Sequence, residues 1–138
     1  GGRFDGKTPT VEEKRLQNFY TNLLNLKKKK KAICEGEFYD LTYANLEGWT
    51  FNEHKQYAFF RKHGKELLLI VVNFDEMPAR CGINIPPHAF EYLDIPQNES
   101  YLATDLLTQT TENICLASGK QTHVSLEAHS GKILKIRL

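Results

Sequence analysis

The sequence predicts an all-β domain, an antiparallel Greek-key β-sandwich of about eight strands preceded by one amphipathic N-terminal α-helix. Before Gly36, apolar residues recur at helical spacing. After Gly36 the pattern changes to period-two alternation and short apolar runs, and no second long helix is predicted. We therefore expect three segments: a flexible tail over residues 1–9, a helix over residues 10–31 and a β-sandwich over residues 32–138.

The predicted helix has a start signal and one apolar face. Thr10 suits the N-cap, Glu13 completes a capping box, and Pro9 prevents the helix from extending upstream. Apolar side chains then follow at spacings of three and four, namely Leu16, Phe19, Tyr20, Leu23 and Leu24. The lysines at 27–31 stand at the negative end of the helix dipole, where cations are stabilising. The pattern predicts a helix over about residues 11–30.

The rest of the chain alternates between short strands and turns. Strands are predicted at Glu37–Ala44, Gln56–Lys62, Glu66–Phe74, Arg80–Ile85, Tyr101–Leu107, Asn113–Leu116, His123–Glu127 and Lys132–Arg137. The run Leu67–Val72 is apolar at every position, which predicts a central strand buried on both faces. Turns are predicted at Arg61–Lys65 and Ser130–Gly131. After Pro86–Pro87, the segment His88–Leu93 is interpreted as one helical turn or an irregular plug.

The composition excludes several classes of partner. Among 138 residues, 18 basic and 17 acidic side chains leave a formal net charge of +1, which gives no general attraction to nucleic acid or to an anionic membrane. The longest apolar run has six residues, whereas a membrane-spanning helix needs roughly 20. Neither nucleic acid nor a membrane is expected as a partner.

No catalytic residue, metal site or cofactor site is predicted. Cys34, Cys81 and Cys115 are far apart and are interpreted as small buried apolar residues rather than as metal ligands. Their odd number does not suit a disulfide framework, and a single disulfide stays open as an alternative. The histidines provide no third ligand at a spacing typical of zinc sites. The carboxylates stand beside turns or at solvent-facing positions, and neither a nucleophile elbow nor a phosphate-binding glycine motif occurs.

Aromatic residues near the first strand are the candidates for ligand contact. Exposed aromatic rings stack on sugar faces, and Gly48 places Trp49 in a loop-like segment where such a platform could stand. Tyr43, Trp49 and Phe51 are therefore candidate carbohydrate-binding residues, with Tyr39 beside them. The alternative is that these rings close the end of the sandwich or cover a surface that faces another domain. Both interpretations stay open.

Several segments match a known enzyme family in order and spacing. The helix carries an apolar motif formed by Tyr20, Leu23, Leu24 and Leu26. The segment with Ala32, Ile33 and Gly36 connects this helix to the first strand. The later matching segments are Gln56–Arg61, Leu67–Phe74, Ile83–Pro86, Thr104–Thr108 and Gly131–Leu134. Together they resemble the last barrel helix and the C-terminal β-domain of the α-amylase superfamily, glycoside hydrolase family 13. The lysine run departs from the family pattern and leaves the substrate subgroup open.

The resemblance implies a parent enzyme that acts on α-glucosidic bonds with retention, a glycosidase or transglycosidase of starch-like carbohydrate. In that family the nucleophilic aspartate, the acid/base glutamate and the transition-state aspartate lie upstream of the last barrel helix, and no position of this chain matches their motifs. The chain is thus expected to be non-catalytic, with the catalytic barrel of the same polypeptide as its partner.

Three roles follow as hypotheses. The leading one is a C-terminal domain that stabilises the barrel, with Leu16, Phe19, Tyr20 and Leu23 as the barrel-packing face. The second is a carbohydrate-binding module for α-glucan, and the third is a free-standing protein-interaction sandwich. A helix that has lost its barrel is expected either to leave this face partly uncovered or to fold it onto the sandwich, because large exposed apolar patches are rare.

Overall fold

The computed structural model describes residues 11–27, 36–46 and 50–138. The helices of this part are α1 (Val11–Lys27), a short 3-10 helix (Tyr43–Asn45) and α2 (Pro87–Leu93). Its strands are β1 (Glu37–Asp40), β2 (Gln56–His63), β3 (Glu66–Asn73), β4 (Ala79–Asn84), β5 (Asn98–Asp105), β6 (Thr111–Leu116), β7 (Gln121–Leu126) and β8 (Ser130–Arg137). The tail predicted over residues 1–9, the end of the predicted first helix and Cys34 lie outside the described residues.

The strands form two antiparallel sheets that share one core. The large sheet has the order β1-β2-β3-β8-β5-β6, and the small sheet pairs β4 with β7. After the β5–β6 hairpin and the crossing to β7, β8 returns beside β5, as in a Greek-key connection. The predicted all-β sandwich is confirmed, and each predicted strand overlaps a strand of the structure.

Strand β3 lies at the centre of the large sheet and is buried on both faces. Successive side chains of a strand point to opposite faces, so the apolar run supplies two clusters at once. The inner cluster receives Leu67, Leu69 and Val71, and the outer cluster receives Leu68, Ile70 and Val72. The outer face of the large sheet therefore needs a cover as much as the inner face does.

Helix α1 covers part of that outer face. Phe19 is 3% exposed and packs with Leu68, Ile70 and Ile133, and the partly buried Leu16 contacts the same cluster. The Phe19 ring lies so close to β8 that a Cβ atom at Gly131 would be 2.5 Å from its Cε1. Gly131 is thus required for a close approach between helix and strand.

Two local predictions were wrong in position. The first strand ends at Asp40 rather than Ala44, because Asp40 Oδ1 accepts a hydrogen bond from the backbone N–H of Thr42 (2.9 Å) and the chain turns into the 3-10 helix. The turn predicted at Ser130–Gly131 lies two residues earlier, at Ala128–His129, and β8 begins at Ser130.

The predicted turn between β2 and β3 is confirmed. His63 pairs with Glu66, which leaves a two-residue loop. Gly64 adopts φ +61 at its first position, a conformation that glycine adopts without steric cost.

Helix α2 is the helical alternative predicted for the segment after Pro86. Pro87 stands at its first turn, and Asp94, at φ 53, ends it. The Lys62 ammonium group donates hydrogen bonds to the carbonyl oxygens of Leu93 and Asp94 (3.2 Å to the latter), where a cation also opposes the helix dipole. This contact attaches α2 to the end of β2, beside β1.

Asn73, whose side chain is fully buried, ends β3 with a network of four hydrogen bonds. Its Nδ2 donates to the carbonyl oxygens of Met77 (2.9 Å) and Glu127 (3.1 Å), and its Oδ1 accepts from Gln56 Nε2 (3.1 Å) and the Asp75 N–H (3.1 Å). One side chain thus joins β2, the β3–β4 connection and the chain after β7.

None of the described helices is long and apolar enough to span a membrane.

We expect Asn73→Ala to lower the free energy of unfolding by about 2–4 kcal/mol, because it leaves several buried donors and acceptors without partners. The measurement is urea unfolding followed by circular dichroism. Asn113→Ala, at an exposed position of β6, is the matched control and should change stability by less than about 0.5 kcal/mol. Equal effects of the two substitutions would contradict the role assigned to the Asn73 network.

Gly131→Ala should lower the free energy of unfolding by about 1–3 kcal/mol, because the added methyl group overlaps the Phe19 ring. In a Phe19→Ala background the same substitution should cost much less, giving a coupling energy above about 0.5 kcal/mol in a double-mutant cycle. Additive effects would mean that Gly131 is needed for another reason.

Candidate functional site

The structure separates the aromatic residues proposed as carbohydrate contacts. Tyr43 is 77% exposed, whereas Phe51 is 2% exposed and belongs to the core between the sheets. A ring with no exposed face cannot stack on a sugar, so Phe51 fits the alternative interpretation, a ring that closes the sandwich. Trp49 lies outside the described residues.

The residues of α1 that are proposed to pack against the barrel differ in what they contact. Phe19 and Leu16 face the outer cluster of the sandwich. Tyr20 is partly exposed and meets Phe19 edge to face, with ring centroids 5.7 Å apart. The side chain of Leu23 is not among those described. This face is thus folded onto the sandwich in part, and its packing against a barrel stays a prediction.

An apolar groove runs beside α1 on the outer face of the large sheet. Its cavity of about 320 Å³ is lined almost entirely by apolar side chains: Tyr20, Phe38, Tyr57, Phe59, Ile70, Val72 and Phe74. Tyr20, Phe38, Tyr57 and Phe74 are all exposed, with Phe74 at 41%. We call this surface the outer groove. Contiguous exposed apolar side chains of this kind are typical of surfaces that contact a protein, a membrane or a ligand.

A second concave surface lies where β1 meets α2. Its cavity of about 340 Å³ is lined by Phe38, Tyr39, Asp40, Tyr43, His88 and Tyr92, and we call it the aromatic depression. The His88 and Tyr92 rings are nearly parallel, with centroids 5.9 Å apart and an interplanar angle of 20°. Tyr39 lies 5.7 Å from the His88 ring and 6.1 Å from the Tyr92 ring. The three rings therefore form one cluster.

Hydrogen bonds hold three rings of the aromatic depression, those of Tyr39, His88 and Tyr92, in place. The Tyr39 hydroxyl and His88 Nδ1 are hydrogen-bonded at 3.1 Å, and the Tyr92 hydroxyl donates to Glu37 Oε2 at 3.1 Å. The hydrogen bond to Glu37 and its negative charge raise the pKa of Tyr92, and burial raises the pKa of Tyr39. Both phenols consequently stay neutral and able to donate a proton in a hydrogen bond.

The titratable groups elsewhere do not converge on a site. Within the described ranges, no group of three His, Cys, Asp or Glu side chains has the geometry to hold a metal ion. His123 is exposed on β7, and His129 occupies the turn before β8 with φ +48. Cys81 and Cys115 are free, and desolvation raises the pKa of the buried Cys81 thiol to about 11.

Sequence reasoning missed His88 and Tyr92. They are four positions apart, so a helix beginning at Pro87 places both on one face, and the sequence pattern indicates this. The sequence does not indicate that they lie close to β1, because that depends on where α2 packs.

The structure resembles the maltogenic α-amylase AmyB from Thermotoga neapolitana with a TM-score of 0.60 and 12% identity, covering 83% of this chain and 23% of that enzyme. It resembles AmyP, solved as an E221Q variant with maltotriose, with a TM-score of 0.57 and 18% identity, over 98% of this chain and 24% of AmyP. The α-amylase from Geobacillus thermoleovorans, solved with acarbose, gives a TM-score of 0.57 and 12% identity, over 82% and 21%.

The resemblance to α-amylase-family structures is therefore confirmed at the level of the fold. The chain spans about a fifth of the length of these enzymes. No protein-family model matches the sequence, and no curated protein matches it.

We expect the buried Cys81 thiol to resist iodoacetamide in the folded protein and to react after unfolding in urea, with mass spectrometry locating the label. The partly exposed Cys115 is the internal control and should react in the folded state. Equal labelling of Cys81 and Cys115 in the folded state would contradict the burial of Cys81.

The same burial predicts a dependence of stability on pH. Since the pKa of the Cys81 thiol rises from 9.0 to about 11 on folding, the unfolded state loses this proton first as the pH rises. The contribution of Cys81 to the free energy of unfolding should thus decrease as the pH rises from about 9 to about 11.

Proposed function

We propose that this chain is the non-catalytic C-terminal domain of an α-amylase-like glycoside hydrolase and that it stabilises the catalytic barrel of the same polypeptide by packing against it. The observation that carries the proposal is the outer groove, an apolar surface next to helix α1 on a domain whose fold recurs in α-amylases. The parent enzyme would act on α-glucans with retention, and its catalytic carboxylates would belong to the barrel.

The groove suits an intramolecular neighbour. Its lining has few polar groups, which resembles the apolar surfaces buried permanently between parts of one protein rather than a site that exchanges small polar ligands. Each exposed aromatic ring there would remove apolar area from water on docking, at roughly 25 cal/mol per Å². The length of the related enzymes supports a barrel as the occupant, since about four fifths of each has no counterpart in this chain.

Helix α1 would form part of the same interface. Its Phe19 side contacts the sandwich, whereas Tyr20 lines the groove and Leu24 is 60% exposed. A helix with apolar residues on more than one side is typical of an element packed between two bodies. In this arrangement α1 would connect the sandwich and the barrel as a shared layer.

The first test is the reading frame that contains this sequence, which should encode a catalytic barrel upstream of Gly1. The second uses that full polypeptide. Tyr57→Ser and Phe74→Ser should each destabilise it by about 1–3 kcal/mol in thermal unfolding, because they remove aromatic ring area that packing against the barrel would bury. The turnover number below the transition should be unchanged.

Leu102→Ser is the matched control, since Leu102 is an exposed apolar residue that does not line the groove. It should change stability by less than about 0.5 kcal/mol. The same three substitutions in the 138-residue chain measure the cost within the sandwich alone. A reading frame without a barrel, or equal costs in the chain and the full polypeptide, would refute barrel packing; hydrolysis of starch by the purified chain would refute the non-catalytic assignment. A complex with a separate protein through the groove would favour the free-standing interaction role instead.

A further inference from the structure

The aromatic depression differs from the outer groove in its chemistry. It combines exposed ring faces with a rim of hydroxyl, imidazole and carboxylate groups, whereas the groove is nearly all apolar. Tyr43 is 77% exposed and Tyr92 is 54% exposed. An occupant that matches this surface has one apolar face and a polar edge able both to donate and to accept hydrogen bonds.

We propose that the aromatic depression binds the glucose units of an α-linked glucan, with Tyr43 and Tyr92 providing the stacking surface and Asp40 accepting hydrogen bonds from sugar hydroxyls. A pyranose ring has the required form, because its C–H groups present an apolar face and its hydroxyls form a polar rim. The class of ligand follows from the depression itself, and the choice of the α-linkage rests on the proposed function.

The polar rim retains free capacity for such hydroxyls. Asp40 uses Oδ1 to accept from the backbone N–H groups of Thr42 and Tyr43, whereas its Oδ2 receives no hydrogen bond from the residues that the structure describes. A carboxylate oxygen is a strong acceptor for a hydroxyl group. The rest of the rim consists of phenol hydroxyls and the His88 imidazole, which can donate and accept hydrogen bonds to a ligand's hydroxyl groups.

Part of the depression is also fixed before any ligand arrives. Tyr39 is fixed by His88, Tyr92 is fixed by Glu37, and Lys62 holds the end of the helix that carries both His88 and Tyr92. Binding to rings that are already ordered loses little side-chain entropy. The cavity volume of about 340 Å³ is at the small end of ligand pockets, which span about 300–1,000 Å³, and suits one or two sugar units of a longer chain.

The position of the depression connects it with the proposed parent enzyme. Phe38 lines both the depression and the outer groove. A glucan held at Tyr43 and Tyr92 would accordingly lie at the edge of the barrel interface. The site would keep polymeric substrate beside the enzyme rather than take part in bond cleavage.

The test is titration of the chain with maltoheptaose, followed by isothermal calorimetry and by backbone chemical shifts. Binding should be weak, with a Kd on the order of 1 mM, and the largest shifts should occur in β1, the 3-10 helix and α2. Tyr43→Ala and Tyr92→Ala should each raise Kd by about tenfold or more. Tyr92→Phe keeps the ring and should retain binding within about threefold.

Tyr57→Ala is the matched control, a partly exposed tyrosine that lines the groove but not the depression, and it should leave Kd unchanged. Circular dichroism and thermal unfolding establish that each variant is folded. The absence of binding, or binding unaffected by Tyr43→Ala and Tyr92→Ala, would overturn the site. Equal affinity for the β-linked cellohexaose would overturn the α-linked assignment.

The two proposals fail separately. Maltoheptaose binding by a chain whose reading frame lacks a barrel would refute the proposed function and leave the sugar site standing. If the chain does not bind maltoheptaose but Tyr57→Ser still destabilises the full polypeptide, the sugar site is refuted and the proposed function stands.

Discussion

The structure depends on one strand that has no polar face. Because β3 is apolar at every position from Leu67 to Val72, neither side of the large sheet can face water without cost. The small sheet and the inner cluster cover one side, and helix α1 covers part of the other. What remains uncovered is the outer groove, so the same run of side chains that builds the core also creates the surface for which we propose a partner. The fold and its proposed role have a common origin in this strand.

Polar groups define where the apolar strands end. Asn73 closes β3 by satisfying four backbone and side-chain groups from three parts of the chain, and Asp40 closes β1 by accepting from the backbone of the following turn. The Asn73 side chain is fully buried, and its network specifies one arrangement because an unsatisfied group there would be costly. The end of β1 matters most for ligand binding. Where the strand stops, the chain turns outward and exposes Tyr43 next to the rings from α2.

The sequence predicted the elements well and their packing incompletely. Period-two alternation and short apolar runs predicted the strands, including the continuous run of β3, since both signals depend only on local burial. The predicted start of β8, Lys132, is two residues too late, because a glycine after a serine is typical of a turn. In the structure Gly131 belongs to β8, where the Phe19 ring leaves no room for a side chain. Phe51 appeared to be a candidate platform but belongs to the core. His88 and Tyr92 went unnoticed because contacts between β1 and α2, some 50 residues apart, leave no periodic trace in the sequence.

The contact between Phe19 and Gly131 joins the first described helix to the last strand. During synthesis on the ribosome, α1 emerges long before β8, so its docking surface is incomplete for most of translation. Strand β8 also inserts between β3 and β5 rather than at an edge, and the large sheet cannot close until β8 is made. Contacts of such long sequence separation slow folding. The nascent chain must therefore keep the apolar residues of β3 from aggregating until β8 has been made.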